Sequence, residues 1–258
     1  MSKGWRYDQR SPIDPHMILK SRMAAAATTD TQDGSQAVGV SSTSGRKELY
    51  ASVASASHRK QFGQFFTPPK VAALMADWVT SRGAESILDP AFGTGILTSA
   101  CMKCDGSRSY TAFEKDPLIV SYVQDDLKSR VTLYNFDFLT HKFDKKFDGI
   151  IMNPPYIRHR EIEGYEKARG QISLDAKCII PKSANLYIYF AVKALTLLSE
   201  GGRAALLIPG EWMSANFAAS FKEYVVRSGA LREVILFSNC SNVFDDALTT
   251  ASILLCEK

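Results

Sequence analysis

Ser86-Ile87-Leu88-Asp89-Pro90-Ala91-Phe92-Gly93-Thr94-Gly95-Ile96 is a short apolar run that ends in an acid and passes through a glycine loop into a helical pattern. A buried strand that empties into such a loop and then a helix is the opening unit of many nucleotide-binding α/β folds. The same pattern of a strand ending near a polar side chain recurs downstream. Ser109 to Phe113 ends in Glu114, Val131 to Tyr134 is followed by Asp137, and Phe147 to Met152 ends in Asn153. A helix from Ile96 to about Lys103 and another from Asp116 to about Lys128 are predicted between them. Strands alternating with helices at this spacing predict a parallel sheet with helices on both faces. Ligands in such sheets bind beyond the carboxyl ends of the strands, where Asp89, Glu114, Asp137 and Asn153 all fall.

The flanking segments extend this plan. Upstream, Thr67 followed by Pro68 predicts a hydroxyl N-cap ahead of a helix whose stripe is Val71, Leu74, Met75 and Trp78. Downstream, Asn185 is predicted to cap a helix through Leu198 that Gly201-Gly202 stops. A fifth strand from Arg203 to Pro209, a helix from Ser214 to Arg227, and strands Leu231 to Phe237 and Ala251 to Cys256 complete a seven-stranded, mostly parallel sheet. Between them, residues 158–182 carry Arg158, His159, Arg160, Lys167, Arg169, Lys177 and Lys182 with no apolar period, which predicts a long functional or disordered loop. Residues 1–45 have almost no periodic apolar content and are predicted to be a disordered tail or leader; 46–258 is the expected catalytic domain.

Composition narrows the class only a little. Lys+Arg number 31 against 27 for Asp+Glu, an excess that permits a polyanionic partner without arguing for one. The chain has 5 cysteines, an odd number in no secreted framework, which points to a reducing cytoplasm. Cys101-Met102-Lys103-Cys104 has no second pair to complete a metal site, and no metal is predicted. No apolar run is long enough to span a membrane.

Asn153-Pro154-Pro155-Tyr156 carries the chemistry. Each proline fixes its own φ and restricts the residue before it, so the fourth strand ends on a stiff turn. The Asn153 side-chain oxygen and the Pro154 carbonyl are placed to accept both hydrogens of an exocyclic amino group, and Tyr156 offers a face to a planar base. Glu114 lies about twenty residues past the glycine loop, the offset at which an acid takes ribose hydroxyls in dinucleotide folds. A nicotinamide or flavin enzyme is therefore the rival until Asp137 and the Asn-Pro-Pro-Tyr turn are added.

Taken in order, QFFTPP, DPAFGTGIL, FEKDP, NFDFL and NPPY resemble the S-adenosylmethionine-dependent N6-adenine DNA methyltransferases of restriction–modification systems, over about Phe62 to Lys258. The resemblance implies a Rossmann-like class I methyltransferase fold. It implies that Phe66 and Thr67 lie against the methionine moiety of the cofactor, and that Asp89, Ala91 and Gly93 hold its amino-acid part. Glu114 would bind the ribose, and Asp137 the adenine amino group, with Phe138 beside the ring. Asn153, Pro154 and Tyr156 would act on a flipped adenine of DNA, and Phe244 would stack on its other face. Two alternatives stay open: the same turn acting on an RNA base or a protein glutamine, and a non-catalytic cofactor-binding module of a larger complex. Because the family places sequence choice in a separate domain after the sheet, a specificity domain or subunit in trans is expected.

Overall fold

A computed structural model of the chain describes residue 50, residues 52–237 and residues 250–258. The tail expected over 1–45 and the segment with Phe244 lie outside the described residues.

Seven strands form one sheet: β1 (Ser86–Asp89), β2 (Ser109–Phe113), β3 (Thr132–Tyr134), β4 (Phe147–Met152), β5 (Leu198–Pro209), β6 (Leu231–Phe237) and β7 (Ala251–Glu257). Their order is β3-β2-β1-β4-β5-β7-β6. β1 pairs in parallel with both β2 and β4, and β4 with β5, whereas β7 runs antiparallel to its two neighbours. The chain winds outward from β1 through β2 to β3 and then returns to the other side of β1 with β4. The carboxyl ends of β1 and β4 therefore flank the topological switch point, where α/β sheets open a crevice. The interior of this sheet is apolar on both faces, as parallel strands covered by helices require. Leu88, Ile150, Met152 and Leu206 share one core cluster with the residues of the crossover helix after β4. On the opposite face Gly149 of β4 is a glycine for reasons of space, since a Cβ there would lie 2.6 Å from Val79.

The helices are α1 (Ala56–Gln61), α2 (Pro69–Thr80), α3 (Ile96–Cys104), α4 (Pro117–Ser121), α5 (Asp125–Ser129), α6 (Glu166–Asp175), α7 (Leu186–Thr196) and α8 (Ala219–Arg227). Most of them depart from the sequence expectation, α8 by starting at Ala219 after two 3₁₀ turns where a helix from Ser214 was predicted. Pro68, not Thr67, is the N-cap residue of α2, and no side chain caps it, because the Thr67 hydroxyl is used elsewhere. The helix predicted from 116 to 128 is two short ones. Val120-Ser121-Tyr122-Val123 is β-branched and aromatic, a poor helix interior, and Gln124 returns to extended backbone before α5. The expected long loop 158–182 contains a 3₁₀ turn, His159–Glu161, and α6, in which Ile172 is the one buried residue. Finally α7 stops at Thr196, and Gly201-Gly202, expected to end it, sit inside β5 at a register shift opposite Asp148.

Candidate active site

A cavity of about 340 Å³ opens at the carboxyl ends of β1, β2 and β4. Its floor is the glycine loop. Gly93 and Gly95 take φ of 57° and 83°, a left-handed backbone that glycine adopts without strain. At Gly95 a side chain would also collide, 2.5 Å from Leu127 and 2.7 Å from the Phe92 ring. The loop is tied down from both sides. Asp89, 1% exposed, accepts from the Thr98 hydroxyl at 2.9 Å and from the Ala91 amide at 3.3 Å. Glu114 accepts from the Gly93 amide and the Asp116 amide, both at 2.8 Å. Burial pushes the pKa of each of these two carboxyls up to about 7, against the lowering effect of the bonds they accept. Asp89 thus lies beneath the cavity and shapes its floor, whereas Glu114, Ala91 and Gly93 line it.

Asp116, fully buried, joins this floor to the chain ahead of α2. Its Oδ2 accepts from the Tyr50 hydroxyl at 2.9 Å and the Gln64 amide at 2.8 Å, with His58 Nε2 also 2.8 Å away. These partners hold its carboxyl below the usual range despite burial, so the 50–64 segment is fastened to an ionised group. From there Gln61 to Thr67 form one wall of the cavity.

The far end is built by the turn after β3. Asp137 accepts from the Leu139 amide at 2.9 Å, takes the Tyr165 hydroxyl on Oδ2, and has Lys115 Nζ at 3.2 Å. Phe138 is buried beside Phe190, their ring centroids 5.4 Å apart. Lys193 rises from α7 beneath this turn and donates to the carbonyls of Phe138 at 2.6 Å, Leu139 at 2.9 Å and His141 at 2.7 Å. Burial lowers its pKa to about 8, yet three carbonyls keep the ammonium satisfied at neutral pH. A lone lysine within the apolar run Leu186-Tyr-Ile-Tyr-Phe-Ala-Val-Lys-Ala-Leu was the signal in the sequence.

At the mouth stands Asn153. Its Nδ2 donates to the Phe65 carbonyl at 2.8 Å and to the Thr67 hydroxyl at 3.1 Å. A carbonyl can only accept, so this pairing fixes which way the amide is turned. The Asn153 Oδ1 is left buried with no hydrogen-bond partner. Thr67 and Phe66, assigned by the resemblance to the cofactor, also line the cavity, and Thr67 additionally aims this amide. The Tyr156 ring, by contrast, is not at the cavity wall. Phe65 stacks on it, centroids 4.9 Å apart at 30°, and its hydroxyl donates to the Leu207 carbonyl at 3.3 Å. Pro154 is buried behind the turn. The resemblance gives Phe66 and Thr67 a place against the cofactor, but only the fold reveals that the Phe65-Phe66-Thr67 turn grips the Asn-Pro-Pro-Tyr turn. Cys101 and Cys104 are free thiols, and among the described residues no cluster of metal-ligating side chains occurs.

Comparison with known proteins follows the same outline. The family described as Eco57I restriction-modification methylase matches residues 98–244, and that described as N-6 DNA Methylase matches residues 48–111. The chain is 36% identical to the Type II methyltransferase M.AccI of Acinetobacter calcoaceticus over 80% of its own length and 39% of that protein. It is 27% identical to the Type II methyltransferase M.HincII of Haemophilus influenzae over 73% of this chain and 36% of the relative. The chain therefore spans well under half the length of these relatives. In fold it is similar to the methyltransferase subunit of a type I restriction–modification system from Streptococcus thermophilus, with TM-score 0.64 at 18% identity, covering 88% of this chain and 51% of that one.

Proposed function

The chain belongs to the Eco57I restriction-modification methylase family, and on that premise we propose that it transfers a methyl group from S-adenosylmethionine to the N6 amino group of an adenine flipped out of DNA. The observation that carries the reading is the buried, unpartnered Oδ1 of Asn153 at the mouth of the cavity. A buried acceptor without a donor costs roughly 1–3 kcal/mol, and an incoming N–H recovers it. An exocyclic amino group brings such a donor, and the Pro154 carbonyl is assigned to its second hydrogen.

The cavity residues suit the cofactor in kind. Glu114 has acceptor capacity left beyond its two backbone donors for ribose hydroxyls, and Asp137 likewise for an adenine amino group. Ala91, Gly93, Phe66 and Thr67 are assigned to the amino-acid end, and Asp89 to holding from beneath the loop that receives it. Bound there, S-adenosylmethionine supplies a methyl group already activated by its sulfonium. What the chain must add is alignment and a more nucleophilic amine. Asn153 Oδ1 serves both, since its hydrogen bond draws the amino group toward tetrahedral geometry and strengthens as positive charge develops on nitrogen. The nitrogen pinned by Phe65 and Thr67 keeps that oxygen aimed before the substrate arrives.

Base stacking is assigned to Tyr156 and Phe244, with Phe65 yielding or sharing the Tyr156 face when the base enters. Unpairing a base costs a few kcal/mol, and stacking returns roughly 1–3 kcal/mol per base. Arg158 and Arg160, both exposed just after the turn, are assigned to backbone phosphates. Such contacts position a duplex without reading its sequence, which leaves sequence choice to a specificity domain or partner subunit. The test is a kinetic comparison. Asn153→Ala is expected to lower kcat by about 10²–10³ with cofactor affinity within two-fold of wild type, and Asn153→Asp to keep part of the activity because an acceptor survives. Equal behaviour of the two variants would remove Asn153 from the chemistry.

A further inference from the structure

One wall of the cavity is accounted for by none of the motifs. Glu161, Ile162, Glu163 and Tyr165 reach it from the segment between β4 and α6. Tyr165 donates its hydroxyl to Asp137 Oδ2 and accepts from Lys115 Nζ at 2.9 Å. The same ammonium lies 3.2 Å from Asp137 and 5.2 Å from the centre of the Tyr165 ring. With Leu139 N–H on Oδ1 and these two groups on Oδ2, the Asp137 carboxylate cannot rotate freely about its own bond. A carboxylate offers about four lone-pair sites, so one acceptor site remains, on Oδ1 of a residue that lines the cavity. Burial and the adjoining carboxylate push the Tyr165 phenol up to about 12, which keeps it a donor throughout the neutral range.

We infer that Tyr165 is a positioning residue of the cofactor site: its hydroxyl fixes Asp137 so that the remaining acceptor meets the exocyclic amino group of the cofactor's adenine, while its ring closes that end of the cavity. The inference rests on the assignment of Asp137 to that amino group. A segment predicted from the sequence as a long functional or disordered loop thereby becomes part of the cofactor pocket.

Two ligands separate this role from simple attachment of the segment: S-adenosylhomocysteine, and its analogue with hydrogen in place of the 6-amino group. Calorimetry is done with the wild-type chain and with Tyr165→Phe, which keeps the ring and removes the donor. Tyr165→Phe is expected to weaken S-adenosylhomocysteine roughly ten-fold, the scale of a hydrogen bond to a charged group, and to leave the desamino analogue unchanged. Tyr165→Ala, which removes the wall as well, weakens both. Equal weakening of the two ligands by Tyr165→Phe, or none, overturns the inference. If the wild-type chain itself does not distinguish the ligands, the assignment of Asp137 fails and takes the role of Tyr165 with it. Should Tyr165→Phe fail to fold, Lys115→Met removes the other group on Oδ2 and the same comparison is read.

Discussion

An amide whose nitrogen faces two acceptors has its oxygen left over, and at Asn153 that oxygen is buried at the mouth of a cavity. The neighbouring carboxyls show the same economy of partners with a different consequence. Asp89 and Glu114 each have a pKa near 7, raised by burial, so both bind more protons folded than unfolded between their ordinary range and about 7. Their contribution to stability is greatest at low pH and is lost as pH rises through that window. Ligand binding runs the other way. Ribose hydroxyls and a cationic sulfonium favour ionised Glu114, so cofactor affinity is expected to rise with pH by up to about ten-fold per unit below 7 and to level off above 8. Titration calorimetry from pH 5.5 to 8.5 checks this, with Glu114→Gln flattening the profile. The strand-end residues were legible because an acid or amide directly after an apolar run is a local pattern. Lys115 and Tyr165 were not, because each acts on a turn that lies far from it in sequence, and the lone Lys193 in its apolar run gave no sign of the carbonyls it holds.

Elements were readable in proportion to how much of them is buried. β1, β2 and β4 are near-continuous apolar runs and stood where expected. α6 was missed because one buried isoleucine leaves no period to detect, and the break between α4 and α5 was missed because apolar content there outlasts helix propensity. The reversal of β7 has no local signature at all, since strand direction is a property of the connection. The strap ahead of α2 is held by long-range contacts of a kind that a single glycine controls. Gly63 has φ of 59°, its carbonyl accepts from Tyr156 N at 3.0 Å, and a Cβ there would sit 2.8 Å from that same nitrogen. Gly63→Ala is therefore expected to cost about 1–3 kcal/mol and to lift the Phe65–Thr67 turn from Asn153. Thermal unfolding with and without S-adenosylhomocysteine reads this; an unchanged midpoint and full activity would show that the contact is dispensable.

At the scale of the whole molecule, the cavity, the Asn-Pro-Pro-Tyr turn and the exposed Arg158 and Arg160 lie along one edge of the sheet, at the switch point between β1 and β4. On the proposed reading, that placement lets one crevice serve both the cofactor and an extruded base. Among the described residues no helix is long and apolar enough to cross a membrane. The acceptor is identified by incubating the chain with S-adenosylmethionine labelled in its methyl group and separate pools of duplex DNA, RNA and protein. Digestion and mass spectrometry then identify the labelled product. N6-methyldeoxyadenosine from the DNA pool, lost in Asn153→Ala, is the predicted result. Label confined to RNA or to protein glutamine, or a DNA product equally abundant with Asn153→Ala, would contradict it.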